Sequence, residues 1–176
     1  ANIGLDIEEL DFYHNPSKQA IKRAKRTLRA LGALTGHGKV TEIGQQMERF
    51  PVESMYARMM VESLQYTQDV QAKLAAIIAL QEVGGIIRGG TKYTGWRKYT
   101  RQTKSDLLAQ YEVYLSLPDL PPEELEEEGI ITKNVTKAEE VIERLHADMG
   151  LSGYVLTPIE FSEEQPLMRS IVAGQI

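Results

Sequence analysis

Residues 28–60 read LRALGALTGHGKVTEIGQQMERFPVESMYARMM, and the order of helix, turn, helix and stop within them decides the fold. Leu28 and Leu31 close a helical stripe that begins upstream, because Ile21, Ala24, Leu28 and Leu31 share one face at 3.6-residue spacing. Ser17 or Asn15 can cap the start of that helix, and Gly32 marks its end. Gly36 and Gly38 flank His37 between short apolar pieces, the pattern of a tight turn or small hairpin with Val40 on the return strand. Thr41 then opens a short helix carrying Ile43, Met47 and Phe50, and Pro51 stops it.

Beyond this stretch the chain is almost all helix by pattern. Ser54 is a candidate cap for a helix that buries Tyr56, Met59, Met60 and Leu64, and Asp69 for one with Val70, Leu74, Ile77 and Ile78 on a stripe. Ser105 precedes Leu107, Leu108, Tyr111 and Leu115 at core spacing, with Pro118 as the stop. Pro121 and Pro122 suit the first turn of an acidic helix. Thr136 to Glu139 has the form of a capping box before Ile142, Leu145 and Met149, closed by Gly150. The last 26 residues have no clear period until a short helix near their end. The expected fold class is mainly α: a winged helix followed by a helical bundle, with at most a small β-hairpin.

Composition excludes several functions. No cysteine is present, so disulfides and thiolate metal sites are ruled out, and a cytoplasmic location is expected. His14, His37 and His146 are not at ligand spacing, so no metal site is expected. No window approaches the roughly 18 uninterrupted apolar residues of a membrane span. A phosphate-binding loop needs GxxxxGK followed by Ser or Thr. Residues 85–92, GIIRGGTK, have the glycine spacing but transpose lysine and threonine, and HGKV at 37–40 lacks the first glycine. No catalytic residue is expected. The carboxylates of Glu126, Glu127 and Glu128 read as a solvated helix face.

The net charge of −5 conceals two basic blocks. Phe12 to Thr41 holds no acid against Lys18, Lys22, Arg23, Lys25, Arg26, Arg29 and Lys39; Lys22, Arg23, Lys25, Arg26 and Arg29 read as the wet face of the first helix. Val83 to Ser105 holds no acid against Arg88, Lys92, Arg97, Lys98, Arg101 and Lys104. Tyr93, Tyr99 and the sole tryptophan, Trp96, are threaded through the second block. Cations displace counterions from phosphates, and aromatic faces stack on unpaired bases. Arg88, Lys92, Trp96, Arg97, Lys98, Tyr99, Arg101 and Lys104 are therefore candidate nucleic-acid contacts. The competing reading puts the aromatics in the core or at an interface.

The opening stretch resembles the helicase-associated region of DEAH-box ATP-dependent helicases, where a helix ending in LxxLGAL leads through LTxLG to a FPLxPxxAKML-like segment. Leu28, Leu31, Gly32, Ala33, Leu34, Thr41, Gly44, Phe50, Pro51, Ala57, Met59 and Met60 match; Ile43, Ser54 and Arg58 depart from it. GLDIEELDFYHNP resembles the link leaving a motor domain, through Asp11, Phe12 and Pro16. SDLLAQYEVY is similar to the family's SDHLTLLNVY, with Leu107 in place of histidine. EEGIITKNVTKAEEVIERLHADMGL is similar to the segment before a long helix ending in LGL, with Thr132 in place of asparagine, and PLMRSIVAGQI is similar to the entry of an oligonucleotide-binding domain.

The resemblance implies a linker from a motor domain over residues 1–16, a winged helix over 17–53, a ratchet-like bundle over 54–150, and a linker toward an oligonucleotide-binding domain over 151–176. It implies a non-catalytic accessory region that grips and guides a single strand of RNA or DNA and braces motor domains of the same parent chain. ATP and magnesium belong to those motors, and no cofactor is expected here. Thr132 and Lys133 join the candidate contacts, because the family's matching loop faces the strand channel. Two other functions fit the residues: a protein-interaction module of a helicase, and a stand-alone winged-helix DNA-binding protein. The second would read bases from Thr41 to Phe50, but Glu42 and Glu48 make that a poor major-groove surface.

Overall fold

A computed structural model describes residues 16–102 and 105–176. The chain divides into two units, one formed by the described residues up to Leu64 together with Met168–Ile176, the other by Gln65–Leu167.

In the first unit, α1 (Lys18–Ala30) begins at Ser17, whose Oγ accepts the Ala20 N–H at 3.1 Å. Gly32, at φ 74°, reverses the chain after α1, and the Ala33 N–H returns to the Leu28 carbonyl at 2.8 Å. The expected hairpin is reduced to one antiparallel bridge, Leu34 to Val40, because the turn closes at once through the Thr35 N–H and the Lys39 carbonyl. Thr41 then does two jobs. Its hydroxyl donates to the Gly32 carbonyl at 2.6 Å and accepts the Gly44 N–H at 3.0 Å, so it caps α2 (Glu42–Met47) and ties it to the end of α1. Gly44 is required there: a Cβ would stand 2.4 Å from the Ala33 carbonyl oxygen.

After Pro51, α3 (Ser54–Ser63) completes this core with Ala57, Met59, Met60 and Val61. Its N-cap is Glu53, without a side-chain bond, so Ser54 is the first helical residue and not the cap. Ala24, expected inward on α1, is exposed, while Ile21 and Leu31 are buried.

The second unit is organised around α4 (Gln68–Glu82). Ten of its fifteen residues, Val70 and Ala72–Leu80, are buried, so it is a central helix covered on all sides and not a stripe-bearing one. Thr67, not Asp69, is its cap, accepting the Val70 N–H at 3.4 Å; Asp69 instead accepts the Tyr154 hydroxyl. Against it lie α5 (Asp106–Leu115), capped by Ser105 as expected, and α7 (Thr132–Asp148), on which the short α6 (Pro122–Glu127) packs. Buried His146 of α7 bonds the Ala72 carbonyl at 3.0 Å.

The helix α7 starts one turn before the expected capping box. Ile131 is its N-cap with no side-chain bond, and Thr136 and Glu139 lie inside it. The cause is a second bridge, Ile87 to Ile130, flanked by Arg88 N–H to Gly129 and Ile131 N–H to Ile86 at 2.8 Å each. That pairing fixes where the chain enters α7.

The segment after α7 is anchored through polar groups. Lys73, 1% exposed, donates to the Pro158 carbonyl and to the Glu163 carboxylate, and the Tyr111 hydroxyl donates to the Thr157 carbonyl. Burial pushes the Tyr111 hydroxyl well above the ordinary tyrosine range. The short helix expected near the C-terminal end is α8 (Phe161–Ala173), thirteen residues long. Among the described residues β structure is limited to the two bridges, so the fold is mainly α. No helix among them is long and apolar enough to cross a membrane.

Candidate nucleic-acid interface

The second basic block forms a loop between α4 and α5 in the second unit. Gly84 and Gly85, at φ 85° and 82°, turn the chain away from α4. The Gln110 side chain of α5 then accepts the Ile86 N–H at 2.8 Å, and fully buried Ile86 plugs the loop into the core. At its far end the Glu112 carboxylate accepts from the Thr100 hydroxyl at 2.7 Å and from the Arg101 N–H at 2.8 Å. Between these anchors a 3-10 helix runs from Gly95 to Tyr99.

This 3-10 helix rests on the end of α6. The Trp96 N–H donates to the Glu128 carbonyl at 3.1 Å, and the indole N–H donates to the Tyr93 carbonyl at 3.1 Å. Gly129, at φ 95°, allows the approach, since a Cβ there would lie 2.7 Å from Tyr93 Cβ and 3.3 Å from the Trp96 ring. Trp96, Tyr93 and Tyr99 are each half-buried, so the aromatics are partly packing residues and partly surface.

The candidate cations separate into two groups. Arg88 pairs with Glu126 at 3.3 Å, and Lys98 pairs with Glu128. The Tyr99 hydroxyl also donates to Glu128, and the Thr132 hydroxyl donates to Glu126 at 2.9 Å. Lys92, Arg97, Arg101 and Lys133 are exposed and make no ion pair among the described residues. Lys104 lies outside the described residues. Thr132 and Lys133 occupy the first turn of α7, and Thr132 joins the loop through Glu126, which it shares with Arg88.

Cation–π contacts order the loop further. Arg88 and Lys92 lie 5.6 and 5.4 Å from the Tyr93 ring centre, Arg97 lies 5.6 Å from Trp96, and Lys98 lies 5.0 Å from Tyr99. Arg88, Trp96 and Arg97 face Asp106 and Gln110 across a cleft of about 260 Å³.

The glutamate run is therefore not a uniform solvated face. Glu126 and Glu128 are partners of the basic loop, while Glu127 remains exposed. Hydrogen bonds from Lys98 and then Tyr99 hold the Glu128 carboxyl below the usual carboxylate range, and the Glu128 bond raises Lys98. Burial first, then the bond to Glu128, raises the Tyr99 hydroxyl. Local charge is thus far closer to balance than the acid-free run suggested. The acids sit some thirty residues downstream, and only folding brings them back. A glutamate run ending at a glycine was the visible signal; its partners were not. Among the described residues no cluster of three His, Cys, Asp or Glu side chains is placed to hold a metal.

Residues 26–52 match the family described as helicase associated domain (HA2), winged-helix. Over 65 residues, 36% of this chain, the sequence is 35% identical to the ATP-dependent RNA helicase HrpA of Borreliella burgdorferi. Over 62 residues, 35% of this chain, it is 39% identical to the pre-mRNA-splicing factor ATP-dependent RNA helicase DEAH10 of Arabidopsis thaliana. The chain spans 8% and 9% of the lengths of those two proteins. The family match covers the end of α1 through α2, in the first unit, and does not include the basic loop.

Proposed function

Because the chain carries a helicase-associated region of the DEAH-box kind, we propose that it is the non-catalytic part of an ATP-dependent helicase that guides a single RNA strand along the loop between α4 and α5. In this reading residues 17–53 are the winged helix and 54–150 the ratchet-like bundle. Residues 1–16 lead from a motor domain of the same parent chain, and 151–176 lead toward an oligonucleotide-binding domain. The motors supply ATP hydrolysis with magnesium, and this region braces them. RNA is chosen because both named relatives are RNA helicases.

The observation that carries the reading is the set of exposed cations without carboxylate partners, Lys92, Arg97, Arg101 and Lys133, beside half-buried aromatics on a tightly anchored loop. A strand's phosphates meet Lys92, Arg97 and Arg101. Arg88 and Lys98 are engaged by Glu126 and Glu128 and are withheld from the strand. Lys133, at the start of α7, extends the same track. The stand-alone DNA-reading alternative is disfavoured by α2, which has six residues and carries Glu42 at its start. A helix of that length rises only about 9 Å. The near-balance of charge around Glu126 and Glu128 favours the protein-interaction alternative, and salt dependence separates the two.

Fluorescence anisotropy of the 176-residue chain with an unstructured oligoribonucleotide of about 12 nucleotides tests this. Affinity is expected to fall with salt, and Lys92→Gln with Arg97→Gln is expected to flatten the log–log slope by about 1.4, from roughly 0.7 per lost phosphate contact. Salt-independent or undetectable binding would favour the interaction-module reading, and a slope unmoved by the double substitution would take the loop out of the strand's path.

A further inference from the structure

The first basic block belongs to the other unit and has no role in the function proposed above. On α1, Lys18, Lys22, Arg23, Lys25, Arg26 and Arg29 are all exposed, and none makes an ion pair among the described residues. The helix contains no acid, so no intrahelical carboxylate can reach them. At 3.6 residues per turn Lys18, Lys22, Lys25 and Arg29 fall within about 60° of arc, over a rise of about 16 Å. Arg26 flanks this stripe.

This arrangement works against the helix that carries it. Lys18 with Lys22, Lys22 with Arg26, and Lys25 with Arg29 are like-charge pairs at i, i+4, each destabilising. Lys18 also sits in the first turn, where the helix dipole disfavours a cation. A solvated face alone is served equally well by mixed charges, as on α7. A polyanion removes the repulsion by bridging the cations.

We infer that this face of α1 is a second nucleic-acid site, one that binds the phosphate backbone without reading bases. The helix has no aromatic residue to stack on a base and no exposed large apolar residue to anchor a protein partner. Protein interfaces deplete charge at their centre and rely on apolar anchors, whereas nucleic-acid interfaces are polar and strongly positive. Phosphate contacts position a strand and carry no sequence information. The face therefore holds a strand indifferent to its sequence, and it does so whether or not the loop of the other unit does.

The test uses the intact 176-residue chain and a labelled oligouridylate of about 12 nucleotides, titrated from about 50 to 200 mM salt. The triple variant Lys22→Gln, Lys25→Gln, Arg29→Gln is expected to lose at least about tenfold in affinity at the low end and about 2 from the salt slope. These substitutions remove repulsion, so helical circular dichroism is expected at the parental level. Lys22→Arg with Lys25→Arg is expected to keep affinity. On the unsubstituted chain, the oligonucleotide is expected to slow acetylation of Lys18, Lys22 and Lys25, a readout that needs no variant.

An unchanged slope in the triple variant together with unprotected lysines overturns the inference. So does equal salt-sensitive binding of polyglutamate of matched charge, which would make the partner an acidic protein. Lys92→Gln with Arg97→Gln, measured in parallel, keeps the two sites apart. If only that pair weakens binding, the α1 site fails and the loop stands; if only the triple variant does, the reverse holds.

Discussion

Neutralising the carboxylates that answer the basic loop should strengthen its grip on a strand. The perturbation is Glu126→Gln with Glu128→Gln. In the folded chain these side chains engage Arg88 and Lys98. Releasing both adds two phosphate-binding cations, each worth about 0.7 in the slope of log affinity against log salt for a single strand. The slope is therefore expected to steepen by about 1.4. If the two chains bind alike at about 1 M salt, the double variant binds roughly 25-fold tighter at about 0.1 M. Glutamine suits the purpose because its carbonyl still accepts the hydroxyls of Tyr99 and Thr132, and the Trp96 N–H bond to the backbone carbonyl of residue 128 is untouched. Anisotropy titrations at four or more salt concentrations measure the slope. Emission from Trp96, the sole tryptophan, reports whether the loop stays seated. An unchanged or shallower slope with unchanged Trp96 emission would refute the idea that these carboxylates mask the loop.

Two further outcomes follow from the same packing. Lys73→Met leaves the Pro158 carbonyl and the Glu163 carboxylate without their buried donor. Breaking a buried pair from one side costs about 3–5 kcal/mol, so the urea midpoint read by Trp96 is expected to drop by roughly 2 M, and Lys73→Met with Glu163→Leu to recover part of it; a drop under about 0.5 M would contradict the assignment. The second concerns pH. Glu128 is held below the usual carboxylate range, so its contribution to loop order is complete above the unfolded value of about 4.3 and is lost as pH falls through the lower folded value. Lys98 is raised, so its share persists until pH rises past the ordinary lysine range. The urea midpoint read by Trp96 emission is expected to be flat from about pH 5 to 9 and to fall below about pH 4, a fall that Glu128→Gln reduces.

Local chemistry was legible wherever neighbours in sequence decide it. Ser17, Thr41 and Ser105 cap the helices they were expected to cap, because a cap acts over three residues. Gly32 ends α1 for backbone reasons that need no tertiary partner, whereas α2 ends at Met47, four residues before Pro51, and leaves Phe50 outside the helix. The mainly α character, the absence of a cysteine site and the acid-free basic blocks were all determined by the sequence itself. So was the spaced pattern from Leu28 to Met60, which resembles the helicase-associated region of DEAH-box helicases and of which residues up to 52 fall within the family match.

Tertiary structure decided what depends on residues far apart. The bridge from Ile87 to Ile130 moved the start of α7, overriding a capping box that local preference favours. Thr67 displaced Asp69 as the cap of α4 while Asp69 took the Tyr154 hydroxyl, and Lys73 was buried on a paired Glu163 ninety positions away. Above all, folding carried Glu126 and Glu128 onto the loop and divided its cations into held and free. The reason is physical: hydrophobic periodicity and capping act within a few residues, whereas charge pairing acts through space, between groups that only the folded core brings within a few ångströms.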